Sequence, residues 1–249
     1  MRDVYVMGAG LTAFGELWGS SLRDLFVEAA VAAMKDAAVE RLDGMYIGCM
    51  SGGLFVEQEH LGSLLADYVG LCPVPAMRVE SACASGGMAF RAAYFEVASG
   101  ASDVVLASGV EKMTDGADVT RALATASDQE YEAYHGVTFP GLYAMMARAH
   151  MRQHGSTREQ MAQVAVKNHD NALDNPRAQM RMRISVDQVL SSAMVADPLR
   201  LLDCSPVTDG AAALVLVSEA VARRSRRPLV KVSGVGAATD AIALHARRD

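Results

Sequence analysis

The chain has 249 residues, 51% of them hydrophobic and 21% charged, which is enough apolar material for one large globular domain or two small ones. The net charge is −6 and the basic residues cluster only at Arg223, Arg224, Arg226 and Arg227, so nucleic acid is set aside as a partner. The four cysteines, Cys49, Cys72, Cys83 and Cys204, show neither CxxC nor zinc-ligand spacing, so no metal site and no disulfide framework are expected and a reducing cytoplasm fits best.

In chain order, Asp3 opens a short run that reads as a buried strand over residues 3–7. Gly8-Ala9-Gly10 reads as a structural turn after it, because Ala13 stands where a dinucleotide-binding loop needs its third glycine. The polar start of this segment leaves no secretory leader expected. Residues 21–38 have the spacing of an amphipathic helix, with Leu22, Leu25, Phe26, Ala29, Ala30, Ala33 and Met34 on one face and Ser21 and Asp24 as a capping pair.

A strand over 45–49, a helix over 61–69, a strand over 76–79, a helix over 86–98 and a strand over 104–107 follow. This alternation implies an α/β architecture built on a mostly parallel sheet with both faces covered. Residues 114–137 are polar and lack a sustained apolar period, so the chain departs from the first domain there. Helices are expected over 142–152 and 158–173, then an extended linker containing Asn175-Pro176. A strand over 211–217, entered through a turn at Asp209-Gly210, returns to the first sheet, and another strand begins at Leu229. The longest apolar run is far short of the roughly 20 residues of a membrane helix, so no membrane association is expected.

The chemistry concentrates around Cys83, in Glu80-Ser81-Ala82-Cys83-Ala84-Ser85-Gly86-Gly87. A cysteine where a strand gives way to a helix lies near the positive end of the helix dipole, which favours the nucleophilic thiolate. The small residues around it leave room for a bulky thioester and for backbone N–H groups to reach its carbonyl oxygen. The pattern alone is equally compatible with a buried core cysteine.

Ser81-Ala82-Cys83-Ala84-Ser85-Gly86-Gly87 resembles the acylation segment of the thiolases. Gly109-Val110-Glu111-Lys112-Met113 resembles their Gly-x-Glu-x-Met segment, and Ser205-Pro206-Val207-Thr208-Asp209-Gly210-Ala211-Ala212 is similar to the segment that closes their first half. Phe139-Pro140-Gly141, Val166-Lys167-Asn168-His169 and Asn175-Pro176 look like the archaeal and sterol-carrier-type branches.

The resemblance implies a thiolase-like α/β fold: a layered mixed sheet with helices on both faces, an α-helical loop-domain insertion, and a second half largely absent. The implied boundaries are 1–113 with 203–222 for the N-terminal domain, 114–202 for the loop domain and 223–249 for the start of the second half. It implies an acyl-CoA acyltransferase, acetyl-CoA C-acetyltransferase-like, that makes or cleaves a 3-ketoacyl-CoA. Cys83 is the implied catalytic nucleophile and Ser205 the contact to the pantetheine arm of coenzyme A, which enters as a thioester substrate with no further cofactor.

Glu111 is expected to be structural, Asp209-Gly210 to do no chemistry, and His135 and His169 not to be catalytic. The helix over 86–98 is expected to lie between two layers. The family's His-Asp-Ala-Phe-like and Gly-His-Pro segments are not found, and His245 matches neither. Expected partners are acyl-CoA or acetyl-CoA, a second copy in a homodimer or homotetramer paired through residues 76–79 and 104–107, and a separate second half or accessory protein. The alternatives are a noncatalytic binding or assembly subunit and a ketoacyl-synthase-like condensing enzyme.

Overall fold

A computed structural model describes residues 1–116, 118–227 and 229–247. In chain order the elements are β1 (Val4–Leu11), α1 (Leu22–Ala37), β2 (Gly44–Gly48), α2 (Gly52–Phe55), α3 (Leu61–Tyr68), β3 (Ala76–Val79), α4 (Ser85–Ser99) and β4 (Val104–Glu111). They continue as α5 (Val119–Ala124), α6 (Phe139–His154), α7 (Arg158–Ala172), α8 (Val186–Ser191), β5 (Met194–Ala196), β6 (Leu199–Arg200), β7 (Gly210–Ser218), α9 (Glu219–Ala222) and β8 (Val230–Lys231). The chain forms two compact units, Met1–Ala117 with Thr208–Ala238, and Asp118–Val207 with Thr239–Asp249.

The first unit is built on a six-stranded sheet in the order β3-β2-β4-β7-β1-β8. The pairings β3-β2 and β2-β4 are parallel, whereas β4-β7, β7-β1 and β1-β8 are antiparallel. The mostly parallel sheet expected from the alternation is therefore a mixed one, because β7 returns after a long excursion and enters between β4 and β1 in the opposite sense.

Alternate residues of a strand point to opposite faces, and the core divides accordingly. Leu106, Val215 and Val217 join Leu25, Phe26, Ala29 and Ala33 of α1 and Leu65 of α3, while Val105, Ala107 and Leu216 join Ala93 and Val97 of α4. The sheet is thus covered on both faces. The row Ser85, Ala89, Ala93 and Val97 of α4 is buried, while Phe90, Arg91, Tyr94 and Phe95 are half-buried, with the Arg91 guanidinium 4.8 Å above the Phe95 ring.

α1 begins as its sequence predicts. The Ser21 hydroxyl accepts from the Asp24 N–H and the Asp24 carboxylate accepts from the Ser21 N–H, a complete capping box. The reading of Gly8-Ala9-Gly10 as a turn does not survive, since all three lie inside β1. A Cβ at Gly8 would stand 2.4 Å from the Ala33 carbonyl oxygen, and one at Gly10 2.0 Å from that of Ala29. The glycines are there because α1 lies directly on the strand.

Residues 104–107 also leave their expected role as an oligomer contact. They belong to β4, which is hydrogen-bonded to β2 on one side and β7 on the other, so they have no free backbone edge; of the two segments, only β3 lies at the edge of the sheet.

The second unit is mainly helical. Its core joins Ala162 of α7, Ile184 from the segment before α8 and Val189 of α8, with Leu202 packed against them. Thr157 with Gln160 and Ser185 with Gln188 form capping boxes at α7 and α8, and β5 and β6 form a small antiparallel pair. Among the described residues no helix is long and apolar enough to cross a membrane.

Candidate active site

Cys83 sits on an elbow. β3 ends at Val79, a single 3-10 turn covers Ala82–Ala84, and α4 starts at Ser85. Ala82 has φ = 46°, the left-handed region that an L-residue other than glycine occupies only at a cost. This reversal turns the chain from the strand into the helix within a few residues. The helix can start so close to the sheet because Gly48 has no side chain there: a Cβ on it would lie 2.5 Å from the Gly86 nitrogen. Cys83 is left exposed, immediately before the first turn of a fifteen-residue helix whose leading N–H groups lack helical acceptors.

The other cysteines differ. Cys49 is buried, and burial first, with the Glu111 carboxylate second, pushes its thiol up to about 12. Cys204 is half-buried and is raised by burial and then by Asp203. Cys72 is exposed, but it lies in the loop between α3 and β3 with no helix starting behind it.

Beside the elbow, residues 49–51 leave the end of β2 and are held from two sides. The Glu111 carboxylate accepts from the Met50 N–H at 2.8 Å, the Ser51 N–H at 3.2 Å and the Cys49 thiol at 3.4 Å. The Arg78 guanidinium donates to the carbonyls of Cys49 and Met50 at 3.0 and 2.6 Å, and to Glu59 at 2.6 Å. Glu111 therefore occupies a bracing position.

Asp209 lies not in a turn, as its place before Gly210 predicts, but in a bridge at the entry to β7. Its backbone pairs with Gly15 in a bridge, and its fully buried carboxylate accepts from Lys112 Nζ at 2.8 Å, Thr114 Oγ1 at 2.7 Å and the N–H groups of Leu17, Met113 and Thr114. Burial alone would push Asp209 up, but the bonds from Lys112 and Thr114 hold it below the usual carboxylate range. Lys112, buried as well, is disfavoured as a cation by burial, yet Asp209 and Asp115 raise it above an ordinary lysine. The sequence reading missed this pair; the lysine inside the Gly-x-Glu-Lys-Met segment was its only local signal.

Ser205 lies in the second unit, exposed, in the loop after the 3-10 turn Leu201–Asp203. That loop is tied back by Asp203, whose carboxylate meets Arg158 at 2.7 Å and the Arg200 N–H at 2.8 Å. His135 is exposed, and His169 Nδ1 lies 3.2 Å from the Met182 carbonyl. Among the described residues no three His, Cys, Asp or Glu side chains stand together as a metal-binding group.

Residues 4–220 match the family model described as "Thiolase, N-terminal domain". The chain belongs to the thiolase family. It is 59% identical over 251 residues to the acetyl-CoA acetyltransferase of Methanothermobacter thermautotrophicus, covering 100% of this chain and 66% of that one. It is 51% identical to the acetyl-CoA acetyltransferase of Methanocaldococcus jannaschii, covering 99% and 64%. Among solved structures, the "Ltp2-ChsH2(DUF35) aldolase" superposes with a TM-score of 0.73 at 27% identity, over 91% of this chain and 58% of that one. The chain thus spans about two thirds of the length of the curated relatives it matches. Within this thiolase, the elbow, the Glu111 brace and the Lys112–Asp209 pair lie in the first unit, and Ser205 lies in the second.

Proposed function

We propose that the protein is an acyl-CoA acyltransferase of the acetyl-CoA C-acetyltransferase kind, with Cys83 carrying the acyl group between two coenzyme A thioesters. The observation that supports this most is an exposed thiol set before a long helix by a left-handed elbow, while the buried Cys49 thiol is pushed up to about 12. In the reaction the Cys83 thiolate attacks the carbonyl carbon of an acyl-CoA, the bond from that carbon to the coenzyme A sulfur breaks, and the departing thiolate takes the proton that Cys83 has given up. The α-carbon of a second acyl-CoA, having lost a proton to a base, then attacks the acyl-cysteine. A 3-ketoacyl-CoA forms and the Cys83 sulfur is released; the reverse sequence cleaves it.

The residues of this chain are proposed to carry the acyl group. Ser205 is proposed to contact the pantetheine arm, and 114–202 to be the inserted loop domain between the parts 1–113 and 203–222 of the N-terminal domain, with 223–249 opening the second half. A second copy, and a second thiolase half or accessory protein, are the proposed partners, in the cytoplasm. The two-component name of the aldolase structure supports an accessory protein. Alkylation tests the reading: prior incubation with acetyl-CoA should protect Cys83 from iodoacetamide and leave Cys72 unprotected. Equal labelling of Cys83 with and without acetyl-CoA would remove the support for it.

A further inference from the structure

The left-handed Ala82 is held in place from inside the helix it precedes. The Ser85 hydroxyl, on a residue only 4% exposed, accepts from the Ser81 N–H at 2.9 Å and donates to the Ala82 carbonyl at 2.6 Å. The Ser85 N–H donates to the same carbonyl. A serine at the start of a helix often bonds a carbonyl three or four residues back, but this one also receives the N–H of a residue upstream of the elbow. One hydroxyl therefore clamps both sides of Ala82. On the outer side the Ala82 N–H donates to the Glu80 carboxylate at 2.6 Å, although Glu80 is exposed to water. The backbone of Cys83 lies between Ala82 and Ala84, inside the 3-10 turn that the Ala84 N–H closes on the Ser81 carbonyl at 2.9 Å.

We propose that Ser85 is a positioning residue, whose buried hydroxyl locks the left-handed Ala82 and so fixes the Cys83 thiol at the head of α4. The inference rests on the reading of Cys83 as the nucleophile. Without the hydroxyl, Ala82 has reason to relax to negative φ, which rotates the following peptide and carries Cys83 away from the leading N–H groups of the helix. In an enzyme a misplacement of about 1 Å at a reacting atom can cost about 10²-fold in rate.

The test uses the full chain and compares the iodoacetamide rates of Cys83 and Cys72, each followed by peptide mass spectrometry well below the melting transition. Cys72 serves as the internal exposed thiol. In the unsubstituted chain the ratio of Cys83 to Cys72 should be well above one; a ratio near one would overturn the reading of Cys83 itself. With that ratio high, Ser85→Ala should lower it severalfold toward one, because alkylation reads how the thiol is presented to solvent and to the head of the helix, and Ser85→Thr, which keeps the hydroxyl, should leave it close to that of the unsubstituted chain. A hydroxyl that serves stability alone lowers the melting temperature and leaves the ratio unchanged, and that result overturns the proposal while sparing the nucleophile. If Ser85→Ala does not fold, adding Ala82→Gly should restore a cooperative transition with an intermediate ratio, since glycine reaches left-handed φ without a clamp. Failure of that double variant to refold also overturns it.

Discussion

Lys112 Nζ and Asp209 Oδ2 meet at 2.8 Å with their side chains 1% and 0% exposed, and they join the end of β4 to the start of β7. The two strands pair in full register from Val104 opposite Val217 to Glu111 opposite Gly210. The ion pair therefore sits where the register ends and holds the loop after Glu111 against the strand carrying Gly210.

Removing Asp209 leaves the buried Lys112 ammonium with Asp115, 3.1 Å away and 43% exposed, as its remaining carboxylate. Asp209→Asn is expected to cost about 3–5 kcal/mol, a fall in melting temperature of roughly 6–20 °C for a unit of this size. The pH dependence follows from the two directions. Asp209 is depressed, so its contribution is present above the ordinary carboxylate pKa of about 3.9 and is lost as pH falls through its lower folded value. Lys112 is raised, so its contribution is present below the ordinary lysine value of about 10.4 and is lost as pH rises through its higher folded value. The stability gap between the chain and the variant should be flat across neutral pH and narrow at both extremes; a gap that grows on acidification would contradict the pairing.

Gly8 and Gly10 offer a backbone test. A Cβ at either meets carbonyl oxygens of α1, which are not flexible. Gly10→Ala is expected to destabilise the chain by about 1–3 kcal/mol or more, read as a lower urea midpoint with an unchanged slope. A neutral substitution would mean that α1 does not lie on β1 as described.

The cysteines should separate under alkylation in the native state. With its thiol pushed up to about 12 and its side chain buried, Cys49 should stay unmodified at pH 8 and react only after denaturation. Labelling of Cys49 at the rate of Cys72 would show that the Glu111 brace is open in solution.

Ser21→Ala removes the hydroxyl half of the α1 capping box and is expected to cost about 1 kcal/mol, measurable in the same urea titration. No change would mean that the cap is replaced by water at no cost.

Local signals were readable in the sequence and long-range ones were not. Ser21 and Asp24 announce a helix start because both partners of the cap lie within one turn, and the apolar face of α1 follows from its spacing. Gly8 and Gly10 misled because a glycine needed for close helix approach looks the same as one needed for a turn. The direction of β7 cannot be read from the alternation of strands and helices, since antiparallel pairing with β4 depends on where the chain re-enters after the second unit. Asp209 reads as a turn residue because its partner lies 97 positions away, and the lysine beside Glu111 is the local hint of the pair. At the site itself, the strand-to-helix position of Cys83 was legible from the small residues around it, whereas its role as a nucleophile came only from the resemblance to the thiolases. The left-handed Ala82 was not legible, because nothing in an alanine signals positive φ.

Acyl transfer to Cys83 is read by peptide mass spectrometry of the protein after acetyl-CoA is added, with and without a thiolase second half. An acetyl thioester is expected on the peptide containing Cys83, absent from the peptides of Cys49, Cys72 and Cys204, lost in Cys83→Ala and removed by added coenzyme A. Absence of any adduct on Cys83 in the complemented sample, or acetylation spread evenly over the exposed cysteines, would contradict it.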